Sequence, residues 1–210
     1  MKVLPLVSYG MDSNTYLVYD DEKTACAVVD PSGDVRQIDS ALSQLNMQLD
    51  AIILTHGHFD HIDLVEDLAL SKHCPVYIHR EDAPMLHDPR LNLSVLFGTN
   101  YVANVQEKAL SHGDTITLGG EELQVIHTPG HTPGGACYYA NGILLSGDTL
   151  FDGSIGRTDF PRGSMTDLVH YAKARLFTLP DDTRVYPGHG GATTIEREKR
   201  YNPYLRGDGV

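Results

Sequence analysis

Thr55-His56-Gly57-His58-Phe59-Asp60-His61 follows directly on the apolar run Ala51-Ile52-Ile53-Leu54. The run reads as a short buried strand, and residues 62–72 after it read as an amphipathic helix. Four potential metal ligands therefore sit on a strand-to-helix loop. In an open α/β sheet, sites form at the carboxyl ends of strands. His56 and His58 are two apart, so in an extended segment they point the same way and can grip one ion. Asp60 and His61 come after the turn and can face a second position nearby. Imidazole with a carboxylate beside it suits zinc or iron. Such clustering behind a buried strand is a metal signature rather than a solvated loop.

Before this loop, residues 3–9, 15–20 and 25–30 read as strands. Gly10 to Asn14 and Asp20 to Lys23 read as turns. Asp34 is placed to cap a helix over 35–47, with Val35, Ile38, Ala41, Leu42 and Leu45 on one face. After the loop, residues 75–79 form another strand, and 81–86 a short helix. This β-α-β-α-β rhythm predicts a partly parallel sheet covered by helices. Residues 88–105 lack periodicity and read as a long surface loop, either a functional lid or an ordinary insertion.

The second half repeats the pattern with other ligands. Strands at 115–118 and 123–127 lead into Thr128-Pro129-Gly130-His131-Thr132-Pro133-Gly134-Gly135, a stiff loop presenting His131. A hairpin about Asn141-Gly142 follows, and its second strand ends at Gly147-Asp148. Ser164 caps a helix running to 177. Arg184-Val185-Tyr186 is a last strand, ended by Pro187-Gly188-His189-Gly190-Gly191.

Composition narrows the function. The chain has 210 residues and a formal net charge of -12, which suits one α/β domain over 1–210 and argues against a nucleic-acid partner, since phosphate binding needs a basic stripe. Cys26, Cys74 and Cys137 are odd in number and form no C-x-x-C pair, so a disulfide framework is not expected and a cytoplasmic location is the simpler reading. The N-terminus does not read as a signal peptide, and no apolar stretch approaches membrane-spanning length.

Five histidines and two aspartates collect at strand ends: His56, His58, Asp60, His61, His131, Asp148 and His189. With their flanking motifs, Thr55 to His61, Thr128 to Gly135, Ser146-Gly147-Asp148-Thr149, Pro187-Gly188-His189-Gly190 and Asn202-Pro203-Tyr204-Leu205, they resemble the metallo-β-lactamase superfamily. Within it the chain is similar to short bacterial glyoxalase II (hydroxyacylglutathione hydrolase) proteins. The resemblance implies an αββα four-layer sandwich of two mixed sheets flanked by helices. It implies two divalent metal ions, zinc before iron or manganese. His56, His58 and His131 would hold the first, Asp60, His61 and His189 the second, and Asp148 would bridge. Asp30 matches the aspartate that supports the ligand loop from behind; a plain turn before Pro31 is the other reading. His73, His79, His87, His112, His127 and His170 fall on no motif and read as surface or core.

Two adjacent metals can make a shared water into hydroxide near neutral pH, which dispenses with a Ser or Cys nucleophile, and the chain has no G-x-S-x-G elbow. The expected activity is a metal-dependent hydrolase attacking an acyl-thioester of the S-lactoylglutathione type, with Asp60 orienting the hydroxide and taking its proton. Glutathione recognition is cut down. Where the family has a lysine nine residues past the bridging aspartate, and a tyrosine two further, this chain has Arg157 and Asp159. Arg157 could bind a substrate carboxylate. Only 21 residues follow His189 (210 minus 189), too few for the family's C-terminal helical domain. The alternatives are a lactonase or other small ester hydrolase, and a mononuclear-iron persulfide dioxygenase, which shares a stretch like Gly156-Arg157-Thr158-Asp159-Phe160. The partner is a small molecule, and oligomeric state stays open.

Overall fold

The computed structural model describes residues 1–7, 12–22 and 24–206. The ends of the expected first strand and first turn, at Ser8 to Met11, and Lys23 of the second turn lie outside the described residues.

Sheet one runs in the order β1 (Lys2–Val7), β2 (Asn14–Tyr19), β3 (Cys26–Val29), β4 (Ala51–Ile53), β5 (Val76–His79) and β6 (Glu107–Leu110). β1 to β3 are antiparallel and β3 to β6 parallel. Sheet two comprises β7 (Thr115–Leu118), β8 (Glu121–His127), β9 (Ala136–Ala140), β10 (Ile143–Gly147), β13 (Arg184–Pro187) and β14 (Thr193–Thr194), with β10 and β13 parallel. β11 (Leu150–Phe151) and β12 (Ser154–Ile155) make a separate small hairpin.

Strands buried on both faces read as continuous apolar runs, and the two-residue period then sorts them. Cys26, Val28, Ile52 and Leu54 face a core beneath α1 (Val35–Leu45) and α2 (Val65–Lys72). Ala27, Val29, Ala51 and Ile53 turn the other way and meet Val125, Tyr138 and Leu145 of sheet two. The far face of sheet two, with Ile126, Leu144 and Val185, packs on Leu168 of α3 (Met165–Tyr171) and Ile195 of α4 (Ile195–Tyr201). Three apolar layers between four structural ones make the αββα sandwich. No helix among the described residues is long and apolar enough to cross a membrane.

Local chemistry sets the element ends. Asp34 accepts from the Arg36 amide at the start of α1, and Asn46 takes the left-handed conformation at its end. Ser164 caps α3, which continues through a π turn over Ala172–Leu176. Asn141 and Gly142 both have positive φ, as the hairpin turn requires.

Several features differ from the sequence reading. The helix expected over 62–72 is a 3-10 turn at Phe59–His61 followed by α2 from Val65. The backbone between them bonds elsewhere: the Tyr101 hydroxyl donates to the Ile62 carbonyl, and the Leu64 amide to Pro31. The short helix expected at 81–86 is a 3-10 turn over Ala83–His87. The surface loop at 88–105 contains another at Ser94–Phe97 and is anchored inward, with Asn92, Ser94 and Ala103 buried. β6 went unread because its centre is Lys108 on an exposed edge, where the apolar pattern is lost.

Candidate metal centre

The ligand loops converge at one edge of the two sheets. His56, His58 and His131 lie with one ring nitrogen each within 4.8 Å of one another, and so do single donor atoms of Asp60, His61 and His189. His58 Nδ1 is 2.9 Å from His131 Nε2, and His61 Nε2 is 3.3 Å from His189 Nε2. The chain thus brings together all seven residues that the sequence singled out as ligands.

The outer ring nitrogens fix which atom faces inward. His131 Nδ1 donates to the Arg157 carbonyl at 2.7 Å, and His189 Nδ1 to the Asp12 carbonyl at 2.7 Å. His61 Nδ1 lies 3.1 Å from Asp30 Oδ2, and His56 Nδ1 3.0 Å from the Thr55 hydroxyl. Nε2 of these four rings is left pointing into the site. This is how outer partners set the tautomer of ligating histidines.

Asp148 lies between the two clusters. One carboxylate oxygen is 3.6 Å from His61 Nε2. The other is 3.4 Å from His131 Nε2 and 3.5 Å from His189 Nε2. Asp60 Oδ2 is 3.6 Å from His61 Nε2 and 3.4 Å from His189 Nε2.

The donor set fits a pair of cations. His56 Nε2 and Asp148 Oδ1 are buried without a hydrogen-bond partner, a costly state unless a cation satisfies them. Burial, reinforced by neighbouring imidazoles, holds His56 and His58 well below the usual histidine range, so they are neutral, the form that ligates. His61 goes the other way. Burial lowers it, but Asp60, Asp148 and Asp30 together outweigh burial and push it up to about 10. Burial raises the Asp60 carboxyl, yet His61 and His189 bring it below the carboxylate range.

Asp30 stands behind the loop. Its carboxylate accepts from the Thr55 amide at 2.8 Å and the Thr55 hydroxyl at 2.6 Å, besides meeting His61. Its backbone is left-handed, with φ 49°, a strained state that its surroundings must hold.

Two positioning residues escaped the sequence reading. Asp82, fully buried, accepts from the Gly57 and Gly134 amides and the Thr132 hydroxyl, joining the loop of His56 and His58 to that of His131. Burial raises its carboxyl pKa against those three donors. Its one signal was its place just past the end of β5. Asn92, also fully buried, donates to the Met85 and Tyr101 carbonyls, and its own carbonyl accepts the Phe59 amide at 2.8 Å. No periodicity marks it.

Above the clusters opens a cavity of about 520 Å³. His58, Asp60, His131, Asp148 and His189 form its polar part, while Leu93, Leu96 and Phe97 wall it from one segment and Phe151, Arg157 and Phe160 from another. The Arg157 guanidinium is paired with Asp159 at 2.9 Å and lies 4.3 Å above the Phe160 ring. His79 and His127 stack on each other at 3.9 Å and line no part of this cavity.

Comparison with known proteins agrees with this geometry. Residues 9–189 match the model of the metallo-beta-lactamase superfamily. The hydroxyacylglutathione hydrolase GloC of Haemophilus influenzae is 34% identical over 98% of this chain and 97% of its own. Among solved structures, the BLEG-1 B3 metallo-beta-lactamase superposes with a TM-score of 0.93 at 36% identity, over 98% of this chain and all of that one. TTHA1623 in a di-iron-bound form gives 0.86 at 34%, over 97% and 100%. ETHE1 from Myxococcus xanthus gives 0.79 at 30%, over 97% and 84%. Strand-end histidines, sandwich and whole-length relatives lead to one conclusion: the chain belongs to the metallo-beta-lactamase superfamily.

Proposed function

We propose that this chain is a two-metal hydrolase of small acyl-thioesters, with simple esters and lactones as secondary substrates. The observation that carries this reading is the Asp148 carboxylate, which spans two complete histidine clusters at the floor of one open cavity. The similarity to GloC supports the thioester.

A pair of divalent ions held by these residues would supply an activated water near neutral pH and draw electron density from the substrate carbonyl. The chain's own groups do the rest. His56, His58 and His131 would hold one ion, Asp60, His61 and His189 the other, and Asp148 both. Asp60 borders the cavity, and its carboxylate is the group placed to orient the attacking water and take its proton. Asp30 keeps the His61 ring in register, and the backbone carbonyl of Arg157 does the same for His131.

The test is metal content per chain on protein purified without added metal, with S-lactoylglutathione and acyl-thioester hydrolysis measured on the same sample. About two metals with thioester turnover is the expected result. Two metals with no thioester turnover, but opening of a β-lactam or lactone, would move the substrate and keep the hydrolase. The Gly156 to Phe160 stretch and the similarity to ETHE1 favour a second reading, the mononuclear-iron persulfide dioxygenase. One iron per chain, with oxygen consumed on glutathione persulfide, would replace the first reading with it.

A further inference from the structure

The cavity above the clusters has walls unlike its floor. The floor is imidazole and carboxylate. The walls are Leu93, Leu96, Phe97, Phe151 and Phe160, with Arg157 as their one permanent cation. That cation is already committed: two of its nitrogens donate to the Asp159 carboxylate, and its face lies on Phe160. An ionised substrate end would share this cation with Asp159 rather than have it alone.

Leu96 and Phe97 are 69% and 56% exposed, a large cost in free surface for two neighbouring side chains beside a polar site. They are not on a loose loop. Asn92 fastens their segment to the Phe59 backbone, and the Phe97 ring sits 5.4 Å from the Phe59 ring. Phe59 lies between His58 and Asp60, so the apolar wall begins directly beside the ligand loop. Whatever it covers is attached close to the reacting carbonyl. Thiol carriers are polar, so in a thioester the hydrocarbon next to the carbonyl is the acyl chain.

We propose that the substrate is a thioester with a neutral, apolar acyl chain of medium length, laid against Leu96 and Phe97, rather than the short polar acyl group of S-lactoylglutathione. This rests on the thioester reading above and assigns these two residues to chain-length selection. Each methylene covered by such a half-open wall contributes roughly a two- to threefold gain.

The test uses acyl-N-acetylcysteamine thioesters from acetyl to octanoyl, a neutral carrier throughout, on the metal-loaded native protein and on Leu96→Ser/Phe97→Ser. Both positions are exposed, so the double variant keeps its core. In the native protein kcat/KM should climb roughly 100-fold from acetyl to octanoyl, and hexanoyl should exceed S-lactoylglutathione; in the variant the climb should fall below about tenfold. A flat native series, a climb unchanged in the variant, or S-lactoylglutathione as the better substrate would overturn the proposal. Equilibrium binding of non-hydrolysable ketone analogues of the same lengths separates the two readings. Affinity that rises with length in the native protein and not in the variant, without turnover of any thioester, keeps the wall and removes the thioesterase. Flat affinity removes the wall whatever the turnover.

Discussion

The Asp82 carboxylate accepts a 2.6 Å hydrogen bond from the Thr132 hydroxyl, fifty residues further along the chain. Together with the amides of Gly57 and Gly134, this bond ties the first histidine loop to the one that carries His131. Asp82→Ala would leave three buried donors unpaired. The expected cost is about 2–4 kcal/mol in the urea unfolding free energy, with a fall in metal affinity from the loosened His131 loop. Asp82→Asn should lie between the two. Calorimetric metal titration beside the urea curve checks both effects.

Gly188 precedes His189 and stands against the bridging position. A Cβ there would fall on Asp148 Oδ1, with His61 Cε1 2.9 Å away. Gly188→Ala should therefore displace Asp148 and lower hydrolysis at least about 100-fold, while unfolding changes by no more than about 2 kcal/mol. Loss of activity together with one of two metals is the expected pattern, read by metal analysis and a rate on the same sample.

The stacked pair His79 and His127 predicts a pH dependence outside the metal centre. Burial, then His127, Arg80 and Arg175, pushes His79 down to about 4, and burial lowers His127 as well. An unfolded histidine titrates near 6.5. Between these values the unfolded chain binds more protons than the native one, so stability is full above about pH 6.5 and falls as pH drops toward 4, by about 1–3 kcal/mol. His79→Phe keeps a ring on the stack and removes the proton site. Urea midpoints of the metal-free proteins at pH 6.5 and 4.5 should differ less for the variant than for the native chain.

Chelation should remove activity and lower the melting temperature, because an ion bound a hundredfold above its Kd contributes about 2.7 kcal/mol to the native state. Added zinc or iron should restore both. Asp148→Ala should lose most of this metal-dependent shift, because the carboxylate shared by both clusters is gone. A thermal scan with and without chelator reads it; an undiminished shift in the variant would place the ions elsewhere.

Legibility followed from what each residue must do alone. His56, His58, His131 and His189 stand at strand ends among glycines and prolines, so local pattern marks them without any knowledge of contacts. One partly parallel sheet was readable from the apolar run 51–54 and the β-α-β-α-β rhythm around it, whereas the second sheet came only with the family resemblance. Asp82 and Asn92 were not readable, since each acts by pairing with backbone from distant segments and looks like any polar loop residue. The pairing of Arg157 with Asp159 was also hidden: the sequence offered the arginine as a carboxylate binder and gave no sign that its neighbour two positions on pairs with it. The division of 59–72 into a 3-10 turn and a shorter helix goes with the Tyr101 hydroxyl, from another loop, donating to the Ile62 carbonyl.

His189 is pinned from the opposite end of the chain. Its Nδ1 reaches the Asp12 carbonyl, Ser13 forms a bridge with it, and the Asn14 amide donates to Gly188. During synthesis the order of arrival is therefore fixed. The trio of His56, His58 and His131 is complete once a little over half the chain has been made, while the second trio waits for a residue near the end. If each trio holds an ion as proposed, the nascent chain would pass through a stage with one whole site and one lacking its last ligand. Closing the circle between Asp12 and His189 spans 177 residues, a contact of very high loop cost. On the two-metal reading proposed above, capture of the second ion would have to wait for this closure, so a chain stalled before residue 189 should carry a different metal load from one extended past it.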